Sequence, residues 1–417
     1  MHLCLVEDTL TGQFLPLTHF HPVYDLRCGV FSLQERIIRH LRPSGVSLHC
    51  RTSLALLMAE EYAGAERGRI SARRSVVVNG RCLMTSSLAR TLRTAKPGSV
   101  YMAGEEFVAA VLEGSALDAF RKLITGDLVD PAFFLSFGRQ EVDARLLQRP
   151  WDLITVNEQA LEADIALIAG TRKATVRPGV HRSAVLVGKR NIHLGPGSMV
   201  GPGAVLDATD GPICVGHRAT IHPLAVIQGP VSIGDGAIVN AGARIGAGTT
   251  IGPVCKVGGE VQHAIMHSFA NKQHDGFLGH SYLAPWVNLG AGTTTSNLKN
   301  TYGNISVRAG HRRIDTGLMF LGLIAGDHVR TGINVSLDTG TIAGVSSNIF
   351  GSALPPKFIP SFSWGEAGNL TTYNPEKALE VATRAMSRRG IRVTDAYAGV
   401  FHHVFQETAD ERAGARR

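Results

Sequence analysis

One period constrains this chain more than any other feature. Val215, Ile221, Ile227, Ile233, Val239, Ile245, Ile251 and Val257 stand six residues apart without a miss. Small residues follow four positions later at Ala219, Ala225, Val231, Ala237, Ala243, Thr249 and Cys255. A helix needs apolar spacing of about 3.6 and an amphipathic strand of about 2, so a period of six fits neither. It fits a coil of short strands. Each six-residue unit makes one flat side and a turn, the aliphatic residue points inward, and Gly216, Gly234, Gly246 and Gly252 permit tight corners. Three sides then close one triangular coil. A β-sandwich with regular turns has no reason to hold the phase this long.

Hexapeptide repeats of this kind resemble the left-handed parallel β-helix of the acyltransferase superfamily, although the recurrence alone specifies only a β-solenoid. The first coils are expected around Val176, Val180, Leu186 and Ile192, and LDATDGP at 206–212 reads as an insertion. After Val257 the phase breaks through GGEVQHAIMHSFANKQHDG and resumes at Phe277, Leu283 and Leu289. Insertions on one face of a solenoid commonly carry its binding site, so the break is where chemistry is expected.

At 417 residues the chain exceeds the ~250 to 300 at which a single core stops growing, so two or more units are expected. Upstream of the repeats, HLCLVE reads as a strand, GVFSLQERIIRHL as a helix, SVVVNGR as a buried strand and SSLARTLRTA as a helix. VYMAGEEFVAAVL reads as a hairpin, and ITVNEQALEADIALIA as a strand tip running into a helix. This alternation predicts a nucleotide-binding α/β domain over 1–170, with ligand at the carboxyl ends of the strands. The solenoid follows over 171–353. NPEKALEVATRAMSRRG and TDAYAGVFHHVFQETADERA predict helices in a C-terminal extension over 354–417.

A net charge of +8 suits an anionic ligand such as a nucleotide, sugar phosphate or coenzyme A, and equally suits ordinary solubility. The Lys and Arg residues are spread along the chain without aromatic interleaving, which argues against nucleic acid. Six cysteines without C-x-x-C spacing predict reduced thiols and a cytoplasmic location. No stretch is apolar for long enough to predict membrane insertion.

The segment KQHDGFLGHSYLAPWVNLGAGTTTSNLKN resembles the acetyltransferase half of the bifunctional N-acetylglucosamine-1-phosphate uridyltransferase/glucosamine-1-phosphate acetyltransferase family. F-L-G, V-N-L-G-A-G-T and T-S-N-L stand where that family has Y-L-G, V-N-I-G-A-G-T and T-C-N-Y. The chain is similar over nearly its whole length to a divergent branch of sugar nucleotidyltransferases marked by N-K-x-H-D-G-F-L-G and S-F-S-W-G. The resemblance implies an acyl-CoA-dependent N-acyltransferase that uses acetyl-CoA or another acyl-CoA and acts on an amino-sugar phosphate or sugar nucleotide. It also implies a homotrimer with coenzyme A between adjacent β-helices. His274 falls on the family's general base, which the reaction needs because an amine acceptor must lose a proton to attack a thioester. Asn288, Lys256 and Lys272 are the candidate acceptor-binding residues. Ala291, Asn297 and Lys299 are the candidates for acyl-CoA, Ala291 through a backbone N–H that polarises the thioester carbonyl. The departures are specific: Asn240, Gly258 and Gly303 replace the family's acceptor-gripping Arg and two Lys, and Phe277 replaces its Tyr.

The N-terminal half lacks the G-x-G-T-R loop with which nucleotidyltransferases of this class cradle a triphosphate. Its PLTHFHPVYDLRCG stretch resembles the divergent branch, which makes Arg27, Gly29 and Arg36, with Asn79, the candidate nucleotide-binding residues. Asn157 aligns with the family's metal-binding asparagine, implying Mg²⁺, although neutral amides are poor ligands for that hard ion. Sugar-1-phosphate nucleotidyl transfer therefore stands against a sugar-nucleotide-binding scaffold without turnover. A further alternative comes from His181, His217 and His222, whose spacing is similar to the zinc-binding histidines of γ-class carbonic anhydrases. Their bland reading is three exposed solenoid histidines.

Overall fold

The computed structural model describes the whole chain except residues 63, 68, 126–127, 171–178, 310–311 and 415–417. Val176, expected in the first coil, lies outside the described residues. Two compact units are present. One comprises Met1–Leu26, Phe31–Arg149 and Asp395–Val400, and the other Arg27–Val30, Pro150–Thr394 and Phe401–Arg417.

The first unit is built on a seven-stranded sheet with His2–Val6 near its middle. That strand runs parallel to Gly45–His49 and to Arg74–Asn79, while Glu106–Glu113 pairs antiparallel with Arg74–Asn79 and with Val100–Ala103. All residues of His2–Val6 are buried because each face carries its own core. Leu3 and Leu5 join one apolar cluster, and Cys4 and Val6 join the other. The helix Leu33–Leu41 begins at Ser32 with a reciprocal capping box, Ser32 accepting from the Glu35 backbone and Glu35 accepting from the Ser32 backbone.

The second unit is a parallel β-helix. Ile213 pairs with Val231 and Val231 with Thr249 on one side, and Thr220 pairs with Ile238 and Ile238 with Lys256 on another. The six-residue aliphatic positions fill one continuous core from Ile192 to Ile359. The expected break after Val257 is not an insertion. Lys256 pairs directly with Asn271, Thr250 with Ile265 and Arg244 with Glu260, so the coil shortens and winding continues. The enlarged coil comes later, between Tyr282 and its next partner Ile324, and it carries an antiparallel hairpin of Ser306–Ala309 and Arg312–Asp315.

The segment expected to close the first domain belongs to the second unit, and its strand tip is absent. Pro150–Thr155 and Asn157–Ala169 are both helical, Pro150 occupying a first-turn position where its missing N–H costs nothing. The side chain of Asn157 explains the placement: its amide binds the Gly248 carbonyl at 2.8 Å and the Thr250 hydroxyl at 3.1 Å on one coil. The expected C-terminal helices form Pro375–Ser387, capped by Asn374, then Asp395–Glu407 and Ala409–Gly414. Among the described residues no helix is long and apolar enough to cross a membrane.

Candidate functional site

His274 and Asp275 form an exposed corner just past the strand Asn271–Lys272. Two groups beneath fix that corner. Lys272, expected to reach an acceptor, instead takes the inward register position of Val257 and is only 2% exposed. Its ammonium donates to the His274 carbonyl at 2.5 Å. Burial lowers the Lys272 pKa to about 8, against an opposing pull from Asp275. Asn240 Nδ2 donates to the Gln273 carbonyl at 2.8 Å. Gly276 turns the chain at φ 119°, where a Cβ would stand 2.1 Å from the Thr293 carbonyl oxygen, so only glycine fits there.

The next coil stacks its glycine-rich turn on this corner. Gly292 donates to the Asp275 carbonyl at 3.1 Å and Gly290 to the Thr331 hydroxyl at 2.9 Å. Two of the turn's N–H groups are thereby used inside the coil, and Ala291 lies between them. Asn288 opens the same turn, half-buried, its Oδ1 3.4 Å from Asn271 Nδ2. The structure therefore brings His274, Asn288 and Ala291 to one edge on consecutive coils.

Asn297 and Lys299 sit in the enlarged coil. Asn297 Nδ2 donates to His280 Nδ1 at 2.9 Å, and Lys299 donates to the Asn304 carbonyl. His280 is stacked between His263 and Phe320, with ring centroids at 4.7 and 5.1 Å. Burial, then the neighbouring His263, lowers its pKa to about 4, which keeps Nδ1 available as an acceptor.

The residues expected to hold a nucleotide and Mg²⁺ are divided between the units, Arg27, Gly29 and Asn157 in the second and Arg36 and Asn79 in the first. Arg27 is committed to packing in the second unit, its N–H on the Tyr282 hydroxyl at 3.0 Å and its Nε on the His267 carbonyl at 3.2 Å. Gly29 donates to Asn157 Oδ1 at 2.6 Å, which with the Gly248 and Thr250 bonds uses both ends of that amide. Arg36 is buried on its helix within electrostatic reach of the Cys82 thiol. Asn79 is fully buried and spent: Nδ2 donates to Asp8 Oδ2 and to the Phe107 carbonyl, and Oδ1 accepts from the Arg81 backbone. At this carboxyl end of the sheet Arg81, 1% exposed, bridges Asp8 at 2.8 Å and Glu106 at 2.9 Å. A guanidinium thus stands beside the first strand, where the expectation placed a ligand. Neither asparagine fits a hard divalent ion, since both amides are already satisfied by protein.

His181 and His222 are exposed and His217 is half-buried, with His181 Nδ1 2.8 Å from Ser183 Oγ. Among the described residues no three His, Cys, Asp or Glu side chains converge as a metal site. No disulfide joins any of the six cysteines.

Sequence reasoning missed Arg330 and Arg389. The signal for Arg330 was available, because the residue before an inward position of a coil faces outward, and Arg330 precedes Thr331 on the strand that continues the Asn288 row. Arg389 reaches Asn271 from beyond a helix, which no local spacing reveals.

Six-residue coils around an aliphatic core define a bacterial hexapeptide transferase, and that signature matches residues 215–247. Ahead of these repeats, residues 3–173 match a sugar nucleotidyl transferase domain. It is 35% identical over 95 residues to the bifunctional sugar-1-phosphate nucleotidylyltransferase/acetyltransferase of Sulfurisphaera tokodaii, covering 23% of this chain and 24% of that protein. It is 37% identical over 108 residues to the bifunctional protein GlmU of Acidithiobacillus ferrooxidans, covering 25% and 23%. Over 159 residues it is 30% identical to the uncharacterized acetyltransferase YaiX of Escherichia coli, covering 38% of this chain and 69% of that protein. The chain spans about a quarter of the length of the first two relatives.

Proposed function

We propose that this protein transfers an acyl group from acyl-CoA, with acetyl-CoA the first donor to test, to the amine of an amino-sugar phosphate or sugar nucleotide. The observation that carries this reading is the stacked corner: an exposed imidazole at His274 lies one coil from a glycine-rich turn and is joined to it through the Asp275–Gly292 hydrogen bond. His274 takes the proton from the attacking amine. In this reading the Ala291 N–H polarises the thioester carbonyl and Asn288 is the acceptor-side residue. Asn297 and Lys299, in the enlarged coil, are the coenzyme-side residues. A homotrimer, with coenzyme A between the β-helices of neighbouring subunits, is the assembly this reading calls for.

The Arg81–Asp8–Glu106 network favours a second reading for the N-terminal domain, that of a sugar-nucleotide-binding or structural module without nucleotidyl turnover. No step through Mg²⁺ is derived from Asn79 and Asn157.

The test is release of free thiol from acetyl-CoA against a panel of amino-sugar phosphates and sugar nucleotides, with His274→Ala in parallel. General base catalysis contributes ~10² to 10⁴-fold, so the variant should lose activity on that scale. Equal rates for the two proteins would remove His274 from the role. Incubation with a nucleoside triphosphate, a sugar 1-phosphate and Mg²⁺ should give no pyrophosphate. Steady pyrophosphate release would overturn the second reading.

A further inference from the structure

Lys256, Asn271, Asn288 and Arg330 form one column on an outer face of the β-helix. Lys256 pairs with Asn271, and single bridges join Asn271 to Asn288 and Asn288 to Arg330. Neighbouring strands stand about 4.8 Å apart, so the column runs roughly 14 Å. Arg389, just past the helix Pro375–Ser387, reaches this column, its Nη2 3.0 Å from Asn271 Oδ1. Lys256 is held below its ordinary pKa by burial first, then by Arg389 and Arg388. At the far end Arg330 Nη2 is buried without a hydrogen-bond partner among the described residues.

No carboxylate is seen paired with Lys256, Arg330, Arg388 or Arg389 among the described residues, and Glu380, the acid within reach of Tyr373 beside Arg330, is bridged to Arg384. Arg330 is half-buried, and cations gathered on one face repel. An anion on the column relieves that repulsion. A carboxylate would meet one rung, whereas the several oxygens of a phosphate ester or diphosphate span more, and guanidinium forks match phosphoryl geometry.

We propose that the column from Lys256 to Arg330, together with Arg388 and Arg389, binds the phosphate or diphosphate group of a small molecule. Asn271 and Asn288 supply amide donors between the charged ends. Since Lys256 and Asn288 also lie on the acceptor side proposed above, the identity of the phosphorylated molecule rests on that reading, while the existence of the anion site does not.

The test is calorimetric titration of the full chain with inorganic pyrophosphate and, separately, inorganic phosphate. Arg330→Gln and Arg389→Gln should each weaken pyrophosphate binding at least tenfold. Arg190→Gln, exposed elsewhere on the β-helix, should leave it unchanged. Circular dichroism of each variant separates loss of binding from loss of fold. Absence of binding to the native chain, or equal affinity in all three variants, overturns the site. If Arg330→Gln and Arg389→Gln alter the sedimentation coefficient and leave pyrophosphate affinity intact, the countercharge comes from another protein surface and the small-anion site is wrong. His274→Ala should bind pyrophosphate like the native chain, so failure of acyl transfer and failure of this site read out separately.

Discussion

The ammonium of Lys272 is inside the β-helix, 2.5 Å from the carbonyl oxygen of His274 two residues along the same chain. A charge placed among aliphatic rungs holds the corner that carries the exposed imidazole.

Its titration gives the first prediction. The folded pKa is about 8 and the ordinary value 10.5. Below pH 8 both folded and unfolded chains carry the proton, so the burial cost is present in full. Between about 8 and 10.5 only the unfolded chain holds it, and stability rises with pH. The cost relieved is up to ~3 kcal/mol at 1.36 kcal/mol per unit. Urea midpoints of the native chain should therefore climb across this window relative to Lys272→Met. Parallel profiles would contradict the buried charge. The same variant should lower kcat for thiol release, since a displacement of about 1 Å at a reacting group can cost ~10²-fold.

His280 predicts the opposite end of the pH scale. Its folded pKa of about 4 lies below the ordinary 6.5, so only the unfolded chain gains a proton between them. Stability is lost as pH falls from 6.5 toward 4. His280→Phe preserves an aromatic ring between His263 and Phe320 and should be less acid-sensitive across that window, as read by thermal melts at each pH. It also removes the acceptor for Asn297, and KM for acyl-CoA should rise if Asn297 is held for the coenzyme.

Arg81 tests the filled end of the first sheet. Removing one partner of a buried ion pair costs ~3 to 5 kcal/mol because the other charge stays behind. Arg81→Leu should lower stability on that scale, and pairing it with Asp8→Asn should recover part of the loss. Urea unfolding decides it, and a single variant as stable as the native chain would show that Asp8 keeps its compensation without Arg81.

Asn157 offers a structural alternative to metal ligation. Its amide bonds to Gly29, Gly248 and Thr250 are all buried, and each net hydrogen bond is worth ~0.5 to 1.5 kcal/mol. Asn157→Ala should destabilise the protein by roughly 2 to 3 kcal/mol by the same scale, equally with Mg²⁺ or with chelator. A loss that appears only with Mg²⁺ would restore the metal role.

The β-helix was legible because its period is local: Val215 to Val257 state the coil one rung at a time. The α/β strands were legible for the same reason, His2–Val6 and Arg74–Asn79 being short apolar runs. What spacing hid was the shortened coil after Val257, because the loss of phase looks the same whether residues are added or removed. It also hid the direction of Lys272, whose register with Val257 becomes visible only when coils are stacked. The partners of Arg27 and Asn157 within the protein were hidden for a related reason. Motif similarity assigned the two residues to a ligand, while these partners, Tyr282, His267 and Thr250, lie far along the chain.

The stacking of Lys256, Asn271, Asn288 and Arg330 also bears on how such a protein changes over generations. In a globular core a new side chain must fit neighbours on every side, and a change of one methylene is felt. On the outer face of a coil the backbone ladder is satisfied whatever side chain it carries, so each rung is a nearly independent choice. Ligand preference can then drift one rung at a time while the aliphatic interior from Ile192 to Ile359 stays untouched. The fold separates what keeps it standing from what it recognises. New specificity is accordingly expected to arise by single outward substitutions along a column, without compensating changes inside.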